Sequence, residues 1–135
     1  EQREVTLERR ANVVVVTFPE QILFESGRSE LNGALQPLLE NVALFLRSHP
    51  EVTVEVHGHT DDRPISNQRF PSNWELSADR ATQVARALVQ LGADPSRLSV
   101  RGFGEYRPLV ANDSDLNRVK NRRVEIQFSL LAAGF

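Results

Sequence analysis

The stretch VTVEVHGHTDD, residues 52–62, decides how this chain folds. Its three valines alternate with threonine, glutamate and histidine, which is the period of a β-strand with one buried face. The alternation ends at Gly58, so Thr60 and Asp61 stand just beyond the end of the strand. Because ligands of open α/β sheets collect at the carboxyl ends of strands, this stretch predicts a central strand with a polar site at its end.

A long loop and an amphipathic helix follow this strand. The segment 61–73 contains two prolines and several polar residues, and a loop of this length in a compact domain is usually functional or mobile. The helix is predicted from about Asn73 to Leu91, with Ser72 or Asn73 as its N-cap and Gly92 just beyond its last turn. Its predicted buried stripe consists of Trp74, Ala78, Ala81, Val84, Ala85 and Leu88.

Strands and helices alternate through the rest of the chain. A second amphipathic helix is predicted from near Gln36 to before Pro50, because Pro37 is tolerated only in a first turn. Apolar alternation and β-branched runs predict strands over 4–9, 13–18, 98–103 and 123–130, with a strand extension over 21–24. Turns are predicted at 11–12 and over 25–27, and a short helix is predicted over 115–121. This order predicts an α+β fold, a two-layer α/β sandwich with a mixed sheet of four to five strands and two main helices on one face.

Composition and length exclude several classes of protein. The 135 residues suit a single domain, and a net charge of -2 gives no basic field for nucleic acid or an anionic membrane. The absence of cysteine excludes thiol catalysis, disulfides and thiolate metal sites. No apolar run approaches the ~18–20 residues that span a bilayer. Because the chain begins at Glu1 rather than Met, we expect a fragment of a longer protein, with any membrane anchor upstream.

Two opposite charges flank the long loop. Asp61 stands at the end of the strand, and Arg80 lies about two turns into the following helix, at the flank of its apolar stripe. A carboxylate beside a guanidinium suits a zwitterion, because Asp61 can take an ammonium and Arg80 can take a carboxylate through a bidentate fork. Spacing alone favours the alternative that the two residues form a surface ion pair of little energetic value.

The histidines and carboxylates near the loop do not predict catalysis or a metal site. His57 and His59 share a strand face that Asp61 would continue, but Gly58 and the turn at Thr60 break the geometry that zinc needs. We therefore expect no metal or other cofactor, and hydrogen bonding by the histidines that fixes the loop. Asp61 and its neighbour Asp62 would face opposite ways, so they are poor as an acid/base pair, and no nucleophile motif is present. We expect no enzyme and no catalytic residues.

A basic cluster lies near the last strand. It consists of Arg118, Lys120, Arg122 and Arg123. A solvated helix with charge pairing is the favoured interpretation. The alternative is that Arg122 or Arg123 adds a second cation beside Arg80.

Several motifs, in the same order, resemble the OmpA-like peptidoglycan-binding domain. They are Phe24-x-Ser26-Gly27-x-Ser29-x-Leu31, Gly58-His59-Thr60-Asp61, Asn73-x-x-Leu76-Ser77-x-x-Arg80-Ala81, Gly102-x-Gly104 with Pro108, and Asn121-Arg122-Arg123-Val124-Glu125. The resemblance covers roughly residues 13–130. Within this family, the longer loop and the segment Phe70-Pro71-Ser72-Asn73-Trp74-Glu75-Leu76-Ser77 resemble the MotB branch, the stator subunit of the flagellar motor.

The resemblance implies a function and a site. It implies noncovalent binding of the peptidoglycan stem peptide, with its diamino acid held by Asp61 and Arg80, and it adds a set of residues to the site: Thr60, Asn73, Leu76, Arg122 and Arg123. It also implies that the domain forms a homodimer and that a missing N-terminal region contacts a MotA-like membrane partner. The chain would then be the periplasmic domain of an inner-membrane protein.

The predicted domain organisation follows the same resemblance. We expect an N-terminal strand or linker over 1–11, the domain over 12–131 and a tail over 132–135. Two alternatives stay open: a wall anchor of a non-flagellar envelope protein, and a dimerisation module. The membrane helix and ion-carrying Asp of the MotB branch are not in this chain, so torque generation is not ascribed to it.

Overall fold

Five strands form one mixed sheet in the computed structural model, which describes residues 5–24 and 30–129 of the chain. They are β1 (Thr6–Arg10), β2 (Val13–Pro19), β3 (Thr53–His59), β4 (Leu98–Gly102) and β5 (Arg123–Ser129). The order across the sheet is β1-β2-β5-β3-β4. Strands β3 and β4 run parallel, and the other neighbouring strands are antiparallel. The predicted turn at 11–12 is confirmed, because Arg10 pairs with Val13 across it.

Two main helices cover one face of this sheet. The helices are α1 (Glu20–Leu23), α2 (Gln36–Ser48), α3 (Asn73–Gln90) and α4 (Asp115–Asn121), with 3-10 turns over Gly33–Leu35 and Pro95–Arg97. Helix α2 begins at the residue before Pro37, as the position of that proline predicts. Ser72 caps α3 by accepting a hydrogen bond from the amide of Trp74. The predicted two-layer fold, with a mixed sheet and two main helices on one face, is confirmed.

The core lies between the sheet and helices α2 and α3. Alternate residues of β3 and β5 point toward the helices and are fully buried, as the period of two in the sequence predicts. The core includes Phe18, Leu46, Val54, Val56, Val84, Leu88, Val124 and Ile126. Each such side chain stabilises the fold by about 1.5–3 kcal/mol when it leaves water.

Two glycines let α3 lie directly on the carboxyl ends of the parallel strands. A Cβ atom at Gly58 in β3 would lie 2.0 Å from the carbonyl oxygen of Ser77, and one at Gly102 in β4 would lie 2.7 Å from the amide nitrogen of Ala78. Only residues without a side chain allow this approach. The first half of α3, which carries Arg80, is therefore fixed beside the end of β3.

Two predictions about local structure were wrong. Residues 21–24 were expected to extend a strand, but Glu20–Leu23 is a helical turn that closes when the amide of Phe24 donates to the carbonyl of Glu20. Trp74 was placed in the buried stripe of α3, but 50% of it is exposed. The reason is that the first turn of α3 extends beyond the strand ends, so Trp74 stacks on Tyr106 in the loop after β4, with ring centroids 5.0 Å apart.

Some expectations fall outside the described residues. These are the turn over 25–27, the tail over 132–135, and the serines and glycine of the first family motif. Within residues 5–24 and 30–129, none of the helices has the length and apolar character needed to cross a membrane.

Candidate functional site

Three neighbouring strands meet at one edge of the sheet, where β2 and β3 end and β5 begins, and this brings distant residues together. The register pairs Pro19 of β2 and His59 of β3 with the same residue of β5, Arg123. The residue that follows Pro19 is Glu20, and the residue that precedes Arg123 is Arg122. Their backbones are joined directly, because the amide of Glu20 donates to the carbonyl of Arg122 at 3.0 Å. The end of β3 leads into Asp61 at the same edge of the sheet.

Asp61 is buried and held by two contacts. Only 5% of the residue is exposed. Its Oδ2 atom lies 2.6 Å from Nη1 of Arg122, and its Oδ1 atom accepts a hydrogen bond of 3.0 Å from the amide of Arg63. A carboxylate this buried needs such partners, because an unpaired buried charge is costly. The predicted ammonium acceptor is therefore already ionically paired with Arg122.

Arg80 is held loosely and retains unused hydrogen-bond donors. Its Nε atom lies 3.4 Å from Oε1 of Glu20, and its guanidinium stacks over the ring of Phe24 at 4.4 Å. Its Nη1 atom lies 3.7 Å from Oδ2 of Asp79. Among the described residues, neither that nitrogen nor that oxygen has a hydrogen-bond partner, although both atoms are buried. A guanidinium in this condition is ready to bind another carboxylate.

Glu20 connects the two predicted halves of the site. Its Oε1 atom contacts Arg80, and its Oε2 atom lies 3.5 Å from Nε of Arg122. The result is a row of alternating charge, Asp61–Arg122–Glu20–Arg80, which we call the charge row. Asp61 and Arg80 form no ion pair with each other in the described structure, so the surface-pair alternative was wrong. Glu20 could not be selected from the sequence, because its position beside Arg122 depends on the pairing of β2 with β5.

Thr60 and Asn73 form hydrogen bonds to the backbone of the loop around Asp61. Thr60 donates its hydroxyl to the carbonyl of Asp61 at 2.8 Å, and its amide donates to the carbonyl of Gly104 at 2.9 Å. The side-chain amide nitrogen of Asn73 reaches the carbonyl of Arg63 at 3.0 Å and lies 3.4 Å from that of Asp61. Both residues are buried. They act as positioning residues that set the conformation of the loop around Asp61.

Leu76 lies one turn before Arg80 on α3. Residues four apart share a face of a helix, so Leu76 places apolar surface beside the guanidinium. It is half-buried. Leu76 therefore lies on the same side of α3 as Arg80.

Arg123 does not belong to this group, which corrects its assignment to the site. Its three guanidinium nitrogens donate to Oε2 of Glu125 at 2.8 Å, to the carbonyl of Asn121 at 3.0 Å and to the carbonyl of Arg107 at 3.1 Å. Burial lowers the pKa of this guanidinium. Because successive residues of a strand point to opposite faces, Arg123 lies on the face away from the helices. Of the two arginines considered as a second cation, Arg122 is the one at the site.

The histidines lie on that opposite face as well. Burial, followed by the positive charge of Arg123, lowers the pKa of His59 to about 3, so its ring is neutral at ordinary pH. His57 meets Oε1 of Glu55 at 2.8 Å, whereas neither ring nitrogen of His59 has a hydrogen-bond partner in the described structure. His59 instead stacks on Phe103 with centroids 5.1 Å apart. The expectation that both histidines fix the loop through hydrogen bonds was therefore wrong for His59.

These histidines and a carboxylate form a group that has the elements of a metal site. Possible ligand atoms of His57, His59 and Glu125 lie within 4.8 Å of one another. The third member is Glu125 rather than Asp61, which the strand period suggested. The guanidinium of Arg123 already lies 2.8 Å from Glu125, where it neutralises the carboxylate that a cation would need. The prediction that this chain holds no metal stays a prediction.

Arg118 ties the long loop to α4. Its Nε atom lies 2.9 Å from Oδ1 of Asp62 in the loop. In a second pair the loop supplies the cation, Arg63, and α4 supplies the anion, Asp115. Charge pairing on a solvated helix, the favoured interpretation for this cluster, is confirmed for Arg118. These two pairs hold the loop against α4 and so keep Asp61 close to Arg122.

Comparison with known proteins identifies the family of this chain. The model of the OmpA family matches residues 23–122. Motility protein B of Helicobacter pylori is 40% identical over 117 residues, which are 85% of this chain and 46% of that protein. Motility protein B of Bacillus subtilis is 35% identical over 114 residues, which are 84% of this chain and 44% of that protein. The chain thus spans about half the length of these relatives.

Two solved structures have the same fold. The periplasmic domain of Helicobacter pylori MotB superposes with a TM-score of 0.83 at 36% identity, covering 94% of this chain and 82% of that one. The cell wall anchor of the T6SS from Pseudomonas aeruginosa superposes with a TM-score of 0.83 at 39% identity, covering 96% and 89%. The fold, the family motifs and these relatives agree, and the chain belongs to the OmpA family.

Proposed function

We propose that this domain binds peptidoglycan noncovalently, through the zwitterionic head of the diamino acid in the stem peptide. Asp61 receives the ammonium group, and Arg80 receives the carboxylate with Arg122 beside it. The observation that carries the proposal is the state of Arg80, whose Nη1 atom is buried without a hydrogen-bond partner in the described structure. The Nε atom, held at 3.4 Å, leaves room for a shorter bond to a ligand carboxylate.

The positions of the two charges support a ligand with both signs. Asp61 and Arg80 lie at opposite ends of the charge row, separated by Arg122 and Glu20. A simple anion would gain from one end of the row only. An amino-acid head group carries an ammonium and a carboxylate, so it brings one charge for each end of the row.

The finer proposal is that the domain anchors a flagellar stator unit to the cell wall. Its similarity to Motility protein B and to a MotB periplasmic domain supports this. Placement in the periplasm, attachment to an inner-membrane protein and a MotA-like partner belong to the same proposal. In this role the domain has no catalytic step, since holding a wall polymer requires binding alone.

A second candidate is a wall anchor that serves an envelope machine other than the flagellum. The specific observation in its favour is the equal structural similarity to the cell wall anchor of a T6SS. Both candidates use the same charge row. They differ in the membrane part to which the domain is attached, so the coding sequence upstream of Glu1 separates them.

An apolar hollow supports the proposal of a homodimer. It lies between β1 and α2, has a volume of about 530 Å³ and is lined by residues such as Leu7, Val14, Leu38 and Phe45. Leu7 is 72% exposed on the edge strand. Sedimentation velocity with and without wall fragments measures whether copies associate and whether ligand is needed. A monomer at all concentrations would contradict the dimer and leave the wall-binding proposal intact.

Pull-down with purified sacculi tests the binding proposal. Asp61→Asn and Arg80→Ala are compared with matched controls, Glu40→Gln on the exposed side of α2 and Arg86→Ala on the exposed side of α3. The two site variants should be retained less by sacculi than the controls. Their affinity for a soluble muropeptide should fall about 30-fold or more, which corresponds to about 2 kcal/mol, and the affinity of the controls should not change. Unchanged binding by both folded site variants would refute the proposal. Release of soluble muropeptides from sacculi would show a hydrolase instead.

A further inference from the structure

We infer that Glu20 is a built-in substitute for the carboxylate of the ligand, which displaces it on binding. In the free protein the side chain of Glu20 occupies the position between two guanidinium groups that a bound carboxylate takes. This inference rests on the proposed function, and it adds a residue that sets which ligands the site accepts.

The first support is the geometry of the Glu20 carboxylate. One oxygen faces Arg80 at 3.4 Å, and the other faces Arg122 at 3.5 Å. A ligand carboxylate that neutralised both arginines would span them in the same way. Glu20 reaches this position from the start of α1, just after β2, whereas the arginines come from α3 and from the junction of α4 and β5.

The second support is that these contacts are long. Charge-assisted hydrogen bonds between guanidinium and carboxylate groups are usually about 2.7–2.9 Å long. The Arg122–Asp61 contact reaches 2.6 Å, so the same arginine is tightly held at one end and loosely held at the other. Arg80 also keeps a buried donor without a partner in the described structure. The carboxylate of Glu20 satisfies neither arginine fully, and a ligand with free choice of position can form shorter bonds.

The third support is that Glu20 can leave by a change of side-chain rotamer alone. Its backbone is fixed, since its amide donates to Arg122 and its carbonyl accepts from Phe24. Its side chain is 27% exposed, so its carboxylate has a short path to water. Displacement therefore needs no movement of β2 or α1.

A displaceable carboxylate makes the site selective. Without Glu20, two neighbouring guanidinium groups would attract any anion. With Glu20 in place, a ligand must replace an existing ionic contact, and a carboxylate that brings an ammonium for Asp61 gains more than one without it. A stem peptide whose diamino acid carries an amide in place of that carboxylate has no charge with which to displace Glu20. The site should therefore discriminate against amidated stem peptides.

Titration calorimetry of Glu20→Gln with two muropeptides tests the inference. The ligands are a muropeptide with a free carboxylate on its diamino acid and the same muropeptide with that group amidated. Glu20→Gln should bind the free-carboxylate ligand about three- to tenfold more tightly than the unmodified domain does. Glu40→Gln makes the same change of net charge at an exposed position of α2 and should change neither affinity. The gain should disappear when Glu20→Gln is combined with Arg80→Ala.

The outcomes separate this inference from the proposed function. If the unmodified domain binds the muropeptide and Glu20→Gln binds it equally or more weakly, Glu20 orients Arg80 and the substitute role is wrong. If Glu40→Gln tightens binding by the same factor, the effect is one of overall charge, and the inference again fails. If the unmodified domain binds neither ligand, the proposed function fails and this inference fails with it.

Discussion

Replacement of Gly58 by alanine tests how closely α3 packs on β3. A Cβ at this position would lie 2.0 Å from the carbonyl oxygen of Ser77 and 2.8 Å from its carbonyl carbon. Both atoms belong to the backbone of α3, so no side-chain rotation relieves the overlap. Helix α3 must retreat by roughly 1 Å or more to reach an ordinary van der Waals distance.

The cost combines strain with lost packing. Overpacking a core position costs about 1–3 kcal/mol, and a retreat of α3 also loosens Ala81, Val84 and Leu88, which are fully buried. The intrinsic preference for alanine over glycine in a strand offsets less than about 1 kcal/mol. We expect Gly58→Ala to lower the free energy of unfolding by about 3 kcal/mol, a large part of the 5–15 kcal/mol typical of domains.

Urea denaturation followed by circular dichroism measures this change. With a slope of about 1.5 kcal/mol per molar urea, the midpoint should fall by about 2 M. Gly33→Ala is the matched control, because a Cβ there meets no atom within 4 Å, and its midpoint should stay within about 0.3 M. Equal midpoints for the two variants would refute the close approach. The folded fraction of Gly58→Ala should also bind muropeptide more weakly, because Ser77 and Arg80 move together.

Three further predictions concern charge and capping. Arg122→Ala should destabilise the domain by about 3 kcal/mol in urea, because Asp61 loses its 2.6 Å partner while buried, and adding Asp61→Asn should recover part of that loss. Ser72→Ala should cost about 1 kcal/mol through loss of the N-cap of α3, whereas exposed Ser66→Ala should cost nothing measurable. Between pH 6.5 and 5 the free energy of unfolding should fall by about 2 kcal/mol, because His59 binds a proton when unfolded but has a folded pKa of about 3. His59→Gln should remove this dependence on pH. An unchanged dependence would contradict the lowered pKa of His59.

The helices and strands could be predicted because their signals are local. The alternation in residues 52–56 and the period of α3 depend on neighbours within a few positions, so no knowledge of the sheet is needed. Trp74 shows where local signals fail. Its position on the helix matches the buried stripe, but the strands stop before they reach it, and the length of one element relative to another is not a local property.

The charge row depends on strand register, which the sequence alone does not specify. Asp61 and Arg80 could be selected because their residue types and spacing suit a zwitterion. Glu20 could not be selected, because it meets Arg122 only through the pairing of β2 with β5. Arg122 and Arg123 could not be distinguished for a related reason. A shift of one residue moves a side chain to the other face, and this choice places Arg122 at the site and Arg123 beside Glu125.

The charge row also limits how tightly one domain can hold the wall. Each group of the row already has a partner of opposite sign, so a ligand gains only the difference between new contacts and those it replaces. Affinity for a single stem peptide should accordingly be moderate. A cell wall presents many stem peptides close together, and two linked domains raise the effective concentration of the second binding event. For the proposed wall anchor, which must resist force, a firm hold built from moderate sites favours paired copies of this domain.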